Sequence, residues 1–208
     1  MMLELDRTRG RLLDGAGRRF DAATRAWVAD TAAGGTRVSL IEAVAWLQRE
    51  SSAPLREPVG VIGPREANAE QLAVAEAIGG GLARVGLAVL CGGREGVMEA
   101  VARGVAKERG VAIGLLPEPD AHAANPHLSV VLATGLGEAR NAIIARAAFC
   151  LVAIGNSYGT LSEVALGLQF GKSVFGLAGA PSVGGVRACV NGEEALDRVA
   201  RLVLALGA

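Results

Sequence analysis

Ile154-Gly155-Asn156-Ser157-Tyr158-Gly159-Thr160-Leu161-Ser162-Glu163 follows an apolar run that begins at Phe149 and leads into a helical pattern, so a strand passes into a helix through small residues. The first N–H groups of a helix have no partner within it and carry the positive end of its dipole, and an anion settles there when small residues allow close approach. Gly159 and Thr160 give that access, while Asn156 and Ser157 add side-chain donors beside it. Glu163 places a carboxylate one turn inside, beside the anion position.

A second joint of this kind lies upstream, where the strand-like Val85 to Cys91 runs into Gly92-Gly93-Arg94-Glu95-Gly96-Val97-Met98 and a helix over 95–108. A third apolar run, Val59 to Gly63, opens the alternating region. Helices are expected at 70–85, 138–148, 159–170 and 193–205, with strands at 111–115, 128–132, 149–154, 173–176 and 186–190. Alternation of this kind predicts an α/β, Rossmann-like, doubly wound parallel sheet, whose ligands bind outside the carboxyl ends of the strands. Both glycine joints then lie on one edge. The irregular stretch Pro117 to His127 follows a strand and belongs near the same edge.

The order Gly92-Gly93-x-x-Gly96-x-Met98, then Arg140, then Gly159-Thr160-x-x-Glu163 resembles the superfamily of LOG-type (Lonely Guy) phosphoribohydrolases, formerly called lysine decarboxylase-like, and molybdenum cofactor carrier proteins. The resemblance covers Pro58 to Leu206. It implies a catalytic pair, Glu163 and Arg140, and a binding set of Gly63, Gly92, Gly93, Gly96, Met98, Asn156, Ser157, Gly159 and Thr160. The hydrolases carry Pro-Gly-Gly where this chain has Gly155, Asn156 and Ser157, so the resemblance points to the carrier-like branch. The implied function is binding of a phosphorylated nucleotide-like or pterin ligand, with the molybdenum cofactor as cargo; the alternative is hydrolysis of the N-glycosidic bond of a nucleoside 5′-monophosphate. A homodimer or higher homo-oligomer is also implied.

At helical spacing Leu161, Val164, Ala165 and Leu168 share a face, which sets Glu163 on nearly the opposite side and out of the core. A carboxylate there either complements the helix dipole or faces a ligand. Arg140 stands where Gly135-Leu136-Gly137 enters a helix, a position expected to be partly exposed at the cleft. It reaches a phosphate, holds Glu163, or pairs on the surface with Glu138. Asn141 and Arg146 are weaker candidates. The dinucleotide fingerprint is absent, because neither Gly60-Val61-Ile62-Gly63 nor the Gly92 loop has the G-x-G-x-x-G order.

With 208 residues the chain accommodates one α/β domain and a small appendage. The division is expected at 1–56 and 57–208, at the break Ser51-Ser52-Ala53-Pro54. The appendage reads as a hairpin around Asp14 to Arg19 and a helix over 40–50, started by the capping box Ser39 to Glu42. Its arginines alternate with acids as a solvated face does. The final helix has a matching start signal in Asn191 and Glu194.

A formal net charge of zero argues against nucleic acid as a partner. Aromatics make up only 3% of the chain, while its 29 glycines suit close packing of helices on a sheet more than a base-stacking surface. No membrane span or signal peptide is expected, and the location is read as cytoplasmic. Cys91, Cys150 and Cys189 sit in apolar runs without metal spacing, His122 and His127 lack a third ligand, and no metal site is expected.

Overall fold

The chain folds as two compact units, one of residues 1–55 with 197–208 and one of residues 56–196. The structure, a computed structural model, describes residues 2–31 and 34–207; positions 1, 32 and 33 of the expected appendage, and 208, lie outside the described residues.

In the larger unit the strands are β6 (Val59–Ile62), β7 (Val89–Cys91), β8 (Ala112–Leu116), β9 (Val130–Ala133), β10 (Leu151–Ile154), β11 (Val174–Leu177) and β12 (Val186–Ala188). They form one seven-stranded sheet in the order β12-β11-β10-β6-β7-β8-β9, with every pairing parallel. From β6 the chain winds outward to β9, then returns to β10 on the other side of β6 and winds the opposite way. The fold is therefore the expected α/β, Rossmann-like one. The reversal leaves a crevice between the carboxyl ends of β6 and β10, the topological switch point at which such sheets bind ligands.

The connecting helices are α2 (Ala69–Arg84), α3 (Val97–Lys107), α4 (Arg140–Ala147) and α5 (Tyr158–Gln169). Helices α2 and α3 pack on each other, as do α4 and α5, and right-handed crossovers in the two winding directions put the pairs on opposite faces. Glycine governs the first contact. A Cβ at Gly104 of α3 would lie 2.0 Å from the Glu76 carbonyl oxygen, and one at Gly79 of α2 would lie 2.2 Å from that of Val101. Both obstacles are backbone, which no rotamer change relieves. Alanine at position 104 should therefore force the helices apart, for a net loss of about 2–4 kcal/mol despite its better helix propensity. Urea unfolding of Gly104→Ala checks this, and an unchanged midpoint would reject the close-packing account.

In the smaller unit the appendage extends beyond the expected hairpin. Strands β2 (Arg11–Asp14) and β3 (Arg18–Asp21) make that hairpin, with Gly17 at φ +74° in the turn and the Asp14 carboxylate accepting from the Ala16 and Arg18 N–H groups. Three further strands join it, β1 (Leu3–Asp6), β4 (Ala26–Ala29) and β5 (Thr36–Val38), giving a five-stranded antiparallel sheet β4-β3-β2-β1-β5. Each is too short to show a clear alternation, and pairing with distant segments, such as Leu3 with Val38, completes the sheet. Arg18 pairs with Asp14 and Arg19 with Asp30.

Helix α1 (Leu40–Arg49) starts at the expected Ser39 and Glu42 capping box. At the start of the chain's last helix, α6 (Gly192–Val203), the Asn191 side chain accepts from the Glu194 N–H and the Glu194 carboxylate accepts from the Val190 N–H. The indole N–H of Trp27 donates to the Leu204 carbonyl at 2.7 Å, so the last residues group with the first by direct contact. No helix among the described residues is long and apolar enough to cross a membrane.

Candidate functional site

Three strand ends build a cleft of about 140 Å³ at the switch point. Ile62 and Gly63 come from the end of β6, Gly92 and Arg94 from the loop after β7, and Ser157, Gly159 and Thr160 from the loop after β10 and the start of α5. Met98 of α3, Arg140 and Asn141 of α4 and Glu163 of α5 complete the walls with Arg65 and Glu138.

Ser157 is the N-cap of α5, its hydroxyl accepting from the Thr160 N–H at 3.1 Å. This side chain satisfies one of the helix's free donors from within the protein. The N–H of Gly159 has no partner among the described residues, and Gly159 lines the cleft. Gly155 adopts φ +67° against the Gln71 amide, which leaves no room for a side chain. Asn156 is exposed and does not line the cleft.

Two sequence expectations need correction. Glu163 was set outside the core and Arg140 at a partly exposed position, yet both are only 6% exposed. The buried residues of α5 are Thr160, Glu163, Val164 and Gly167, whereas Leu161 of the expected apolar stripe is exposed. The helix is rotated relative to that stripe because α4 packs on it and covers the Glu163 side. Periodicity within α5 could not show this, since the covering surface comes from another helix.

Arg140, the first residue of α4, donates through Nη1 to Asn141 Oδ1 at 2.9 Å and to Glu163 Oε1 at 3.4 Å. Its Nε is buried without a partner among the described residues. Asn141 in turn donates to the Ser162 hydroxyl at 2.9 Å, and Ser162 donates to the Gly159 carbonyl at 2.7 Å. A polar chain thus fixes the start of α4 against the first turn of α5. Burial pushes the Glu163 carboxyl up to about 8, over the opposing pull of the Arg140 guanidinium and with a small push from Glu138. Burial thus favours the neutral acid, the form in which Glu163 leaves the charge of Arg140 uncompensated.

Gly93 and Gly96 shape the loop after β7 without lining the cleft. The Gly93 carbonyl accepts from the Asn125 N–H at 3.0 Å and from its side-chain amide at 3.1 Å. Gly96, at φ +71°, lies so close to Arg65 that a Cβ would sit 2.1 Å from its carbonyl oxygen. Gly92 leaves the space that Arg140 and Met98 fill, because a Cβ there would meet the Arg140 guanidinium at 2.7 Å and the Met98 sulfur at 2.6 Å.

Arg65 and Arg94 were not singled out from the sequence, although both line the cleft. Arg65 follows a strand end in Gly63-Pro64-Arg65, and Arg94 lies inside the quoted glycine loop; each occupied a legible position at the ligand edge. Arg146 lies over the Phe170 ring at 3.5 Å, away from the cleft. Cys91 is fully buried and its thiol is pushed up to about 11 by burial, so it is an unreactive thiol. His127 approaches Glu99 at 3.9 Å, and no cluster of three or more metal-ligating side chains occurs among the described residues.

A parallel sheet in this order, with an arginine- and glycine-lined cleft at its switch point, defines the Rossmann-like class. Residues 56–201 match the SLOG cluster4 family, and the chain belongs to that family. It is similar to the molybdenum cofactor binding protein of the phototrophic bacterium Rippkaea orientalis, with 32% identity and a TM-score of 0.68 over 72% of this chain and 99% of that one. The molybdenum cofactor carrier protein of Chlamydomonas reinhardtii is 33% identical, with a TM-score of 0.65 over 71% of this chain and 99% of its own. An uncharacterized protein of Archaeoglobus fulgidus is 35% identical over 139 residues, 67% of this chain and 91% of its own length. These comparisons support the LOG and molybdenum cofactor carrier superfamily named by the resemblance.

Proposed function

We propose that this protein is a carrier or sensor that binds a phosphorylated pterin in the carboxyl-edge cleft, with the molybdenum cofactor as its cargo. The observation that carries the reading is Arg140, a buried guanidinium lining the cleft with an unpartnered Nε, beside a helix start whose Gly159 N–H is also unpartnered. Buried polar groups are nearly always hydrogen-bonded, so donors left over at a helix N-terminus suit a phosphate. In this reading Ser157, Gly159 and Thr160 hold the phosphate, Arg140 pairs with it, and Gly63, Gly92 and Met98 floor the cleft while Gly93 and Gly96 hold its loop. The similarity to two proteins described as binding or carrying the molybdenum cofactor supports the choice of ligand.

The second reading, hydrolysis of a nucleoside 5′-monophosphate, draws on the Arg140 and Glu163 pair at the cleft. That chemistry needs a carboxylate to stabilise an oxocarbenium-like ribose or to activate water, and burial disfavours the charged form of Glu163. The carrier reading ranks first because this chain has Gly155, Asn156 and Ser157 where the hydrolases carry Pro-Gly-Gly. A cytoplasmic location and a homo-oligomer belong to the same proposal, and exposed Ile143 of α4 and Leu161 of α5 supply apolar surface that a second copy would cover.

Native mass spectrometry of protein purified from cells that make the cofactor tests these points together. The expected spectrum shows a molybdenum-containing pterin phosphate bound to each chain of an oligomer. Release of free base from AMP by the same preparation, with no bound pterin, would overturn the carrier reading in favour of the hydrolase.

A further inference from the structure

The cleft has a second cationic wall that the phosphate position does not use. Arg94 lines it from the loop after β7. Its Nη2 contacts Glu118 Oε1 at 3.0 Å, while its Nε and the second Glu118 oxygen are buried without partners. A guanidinium presents five N–H donors in a planar fork, and one contact to a carboxylate leaves most of them unused. The unpartnered Glu118 oxygen calls for a donor, so the place for an anion lies with the remaining guanidinium N–H groups of Arg94.

This arginine is also held in place by design of the surrounding loops. The amide of Asn125, itself only 6% exposed, donates to the carbonyls of both Gly93 and Arg94 at 3.1 Å. Asn125 and Glu118 both belong to the irregular stretch Pro117 to His127, for which the phosphate position gives no role. One residue of that stretch fixes the Arg94 backbone and another fixes its guanidinium. Together they hold Arg94 at the cleft wall rather than leaving a long side chain free in solvent. Arg65 also lines the cleft, its charge paired with that of Glu95.

From this geometry we infer that the cleft recognises a ligand with two separate oxyanionic groups, a phosphate at the start of α5 and a second oxyanion at Arg94. The inference rests on the reading of the cleft as an anion site. It deepens that reading by naming the ligand class, a compound that carries an oxyanionic group besides its phosphate, and selectivity lies with Arg94. Asn125 and Glu118 act as positioning residues, since each works through Arg94.

Crystals of the full chain soaked in tungstate provide the test, because this tetrahedral oxyanion reports each subsite separately and locates it by its anomalous signal. Two tungstate positions are expected, one against Ser157 to Thr160 and Arg140, the other against Arg94. In Arg94→Gln the second should vanish while the first remains, and tungstate titration followed by calorimetry should fall from two equivalents per chain to one. A single position at α5 in the unsubstituted protein overturns the two-anion inference and leaves the phosphate site standing. Absence of tungstate from the whole cleft removes both. Retention of the second position in Arg94→Gln would likewise overturn the assignment to Arg94.

Discussion

Glu163→Gln is expected to remove a pH dependence that the unsubstituted protein shows both in stability and in anion binding. The buried carboxyl is pushed up to about 8 in the folded chain from an ordinary value of 4.5. Between those values the folded state binds more protons at this group than the unfolded state, so its contribution is fully present below the lower value and is lost as pH rises to the upper one. The loss accumulates through that window and levels off above it. Glutamine keeps the neutral shape and cannot ionise. Its stability advantage over the unsubstituted protein should therefore grow from pH 5 to pH 8, as measured by urea unfolding at several pH values. Ligand binding follows the same sign: ionised Glu163 repels an oxyanion and competes for Arg140, so phosphate affinity should weaken from pH 7 to pH 9 in the unsubstituted protein and stay flat in the variant. Parallel profiles for the two proteins would show that Glu163 does not titrate in this range.

Arg140→Ala should have the larger effect on binding. Losing a charge-assisted hydrogen bond to the phosphate costs about 1.5–3 kcal/mol, on the order of tenfold to a hundredfold in affinity. A partly exposed arginine would be replaced with little effect on folding, but Arg140 is buried. The substitution removes the donor to Asn141 and the partner of Glu163 together. At pH 7 a stability loss of about 1–3 kcal/mol is expected. The penalty should grow toward pH 9, because without the guanidinium the buried carboxyl is pushed up further and the variant loses the ionised pair that the unsubstituted protein can form. Calorimetric titration with a phosphorylated ligand and unfolding curves at both pH values check the two parts. Equal affinity in variant and unsubstituted protein would remove Arg140 from the phosphate site.

The location of the cleft was legible in the sequence because its makers are local. A strand that passes through small residues into a helix is written within ten or so positions, and the segments ending at Ile62, Cys91 and Ile154 carry that pattern. Parallel strands joined by helices then bring those ends to one edge whatever the sheet order. The same holds for the helix starts at Ser39 and Asn191, where side chain and backbone meet within one turn.

What the sequence by itself determined was therefore the α/β class, the edge of the sheet that bears the cleft, and the residues whose role is fixed within a single joint. The tertiary structure alone decided the rest, because each remaining feature depends on segments far apart in the chain. Four-residue strands became a five-stranded sheet through pairings such as Leu3 with Val38. Glu163 and Arg140 became a buried pair because α4 and α5 close over each other, which raises the carboxyl and leaves guanidinium donors for a ligand. Arg94 gained its place from Asn125 and Glu118 in another loop. Burial and electrostatics arise from what surrounds a side chain, and for these residues the surroundings were assembled only by folding.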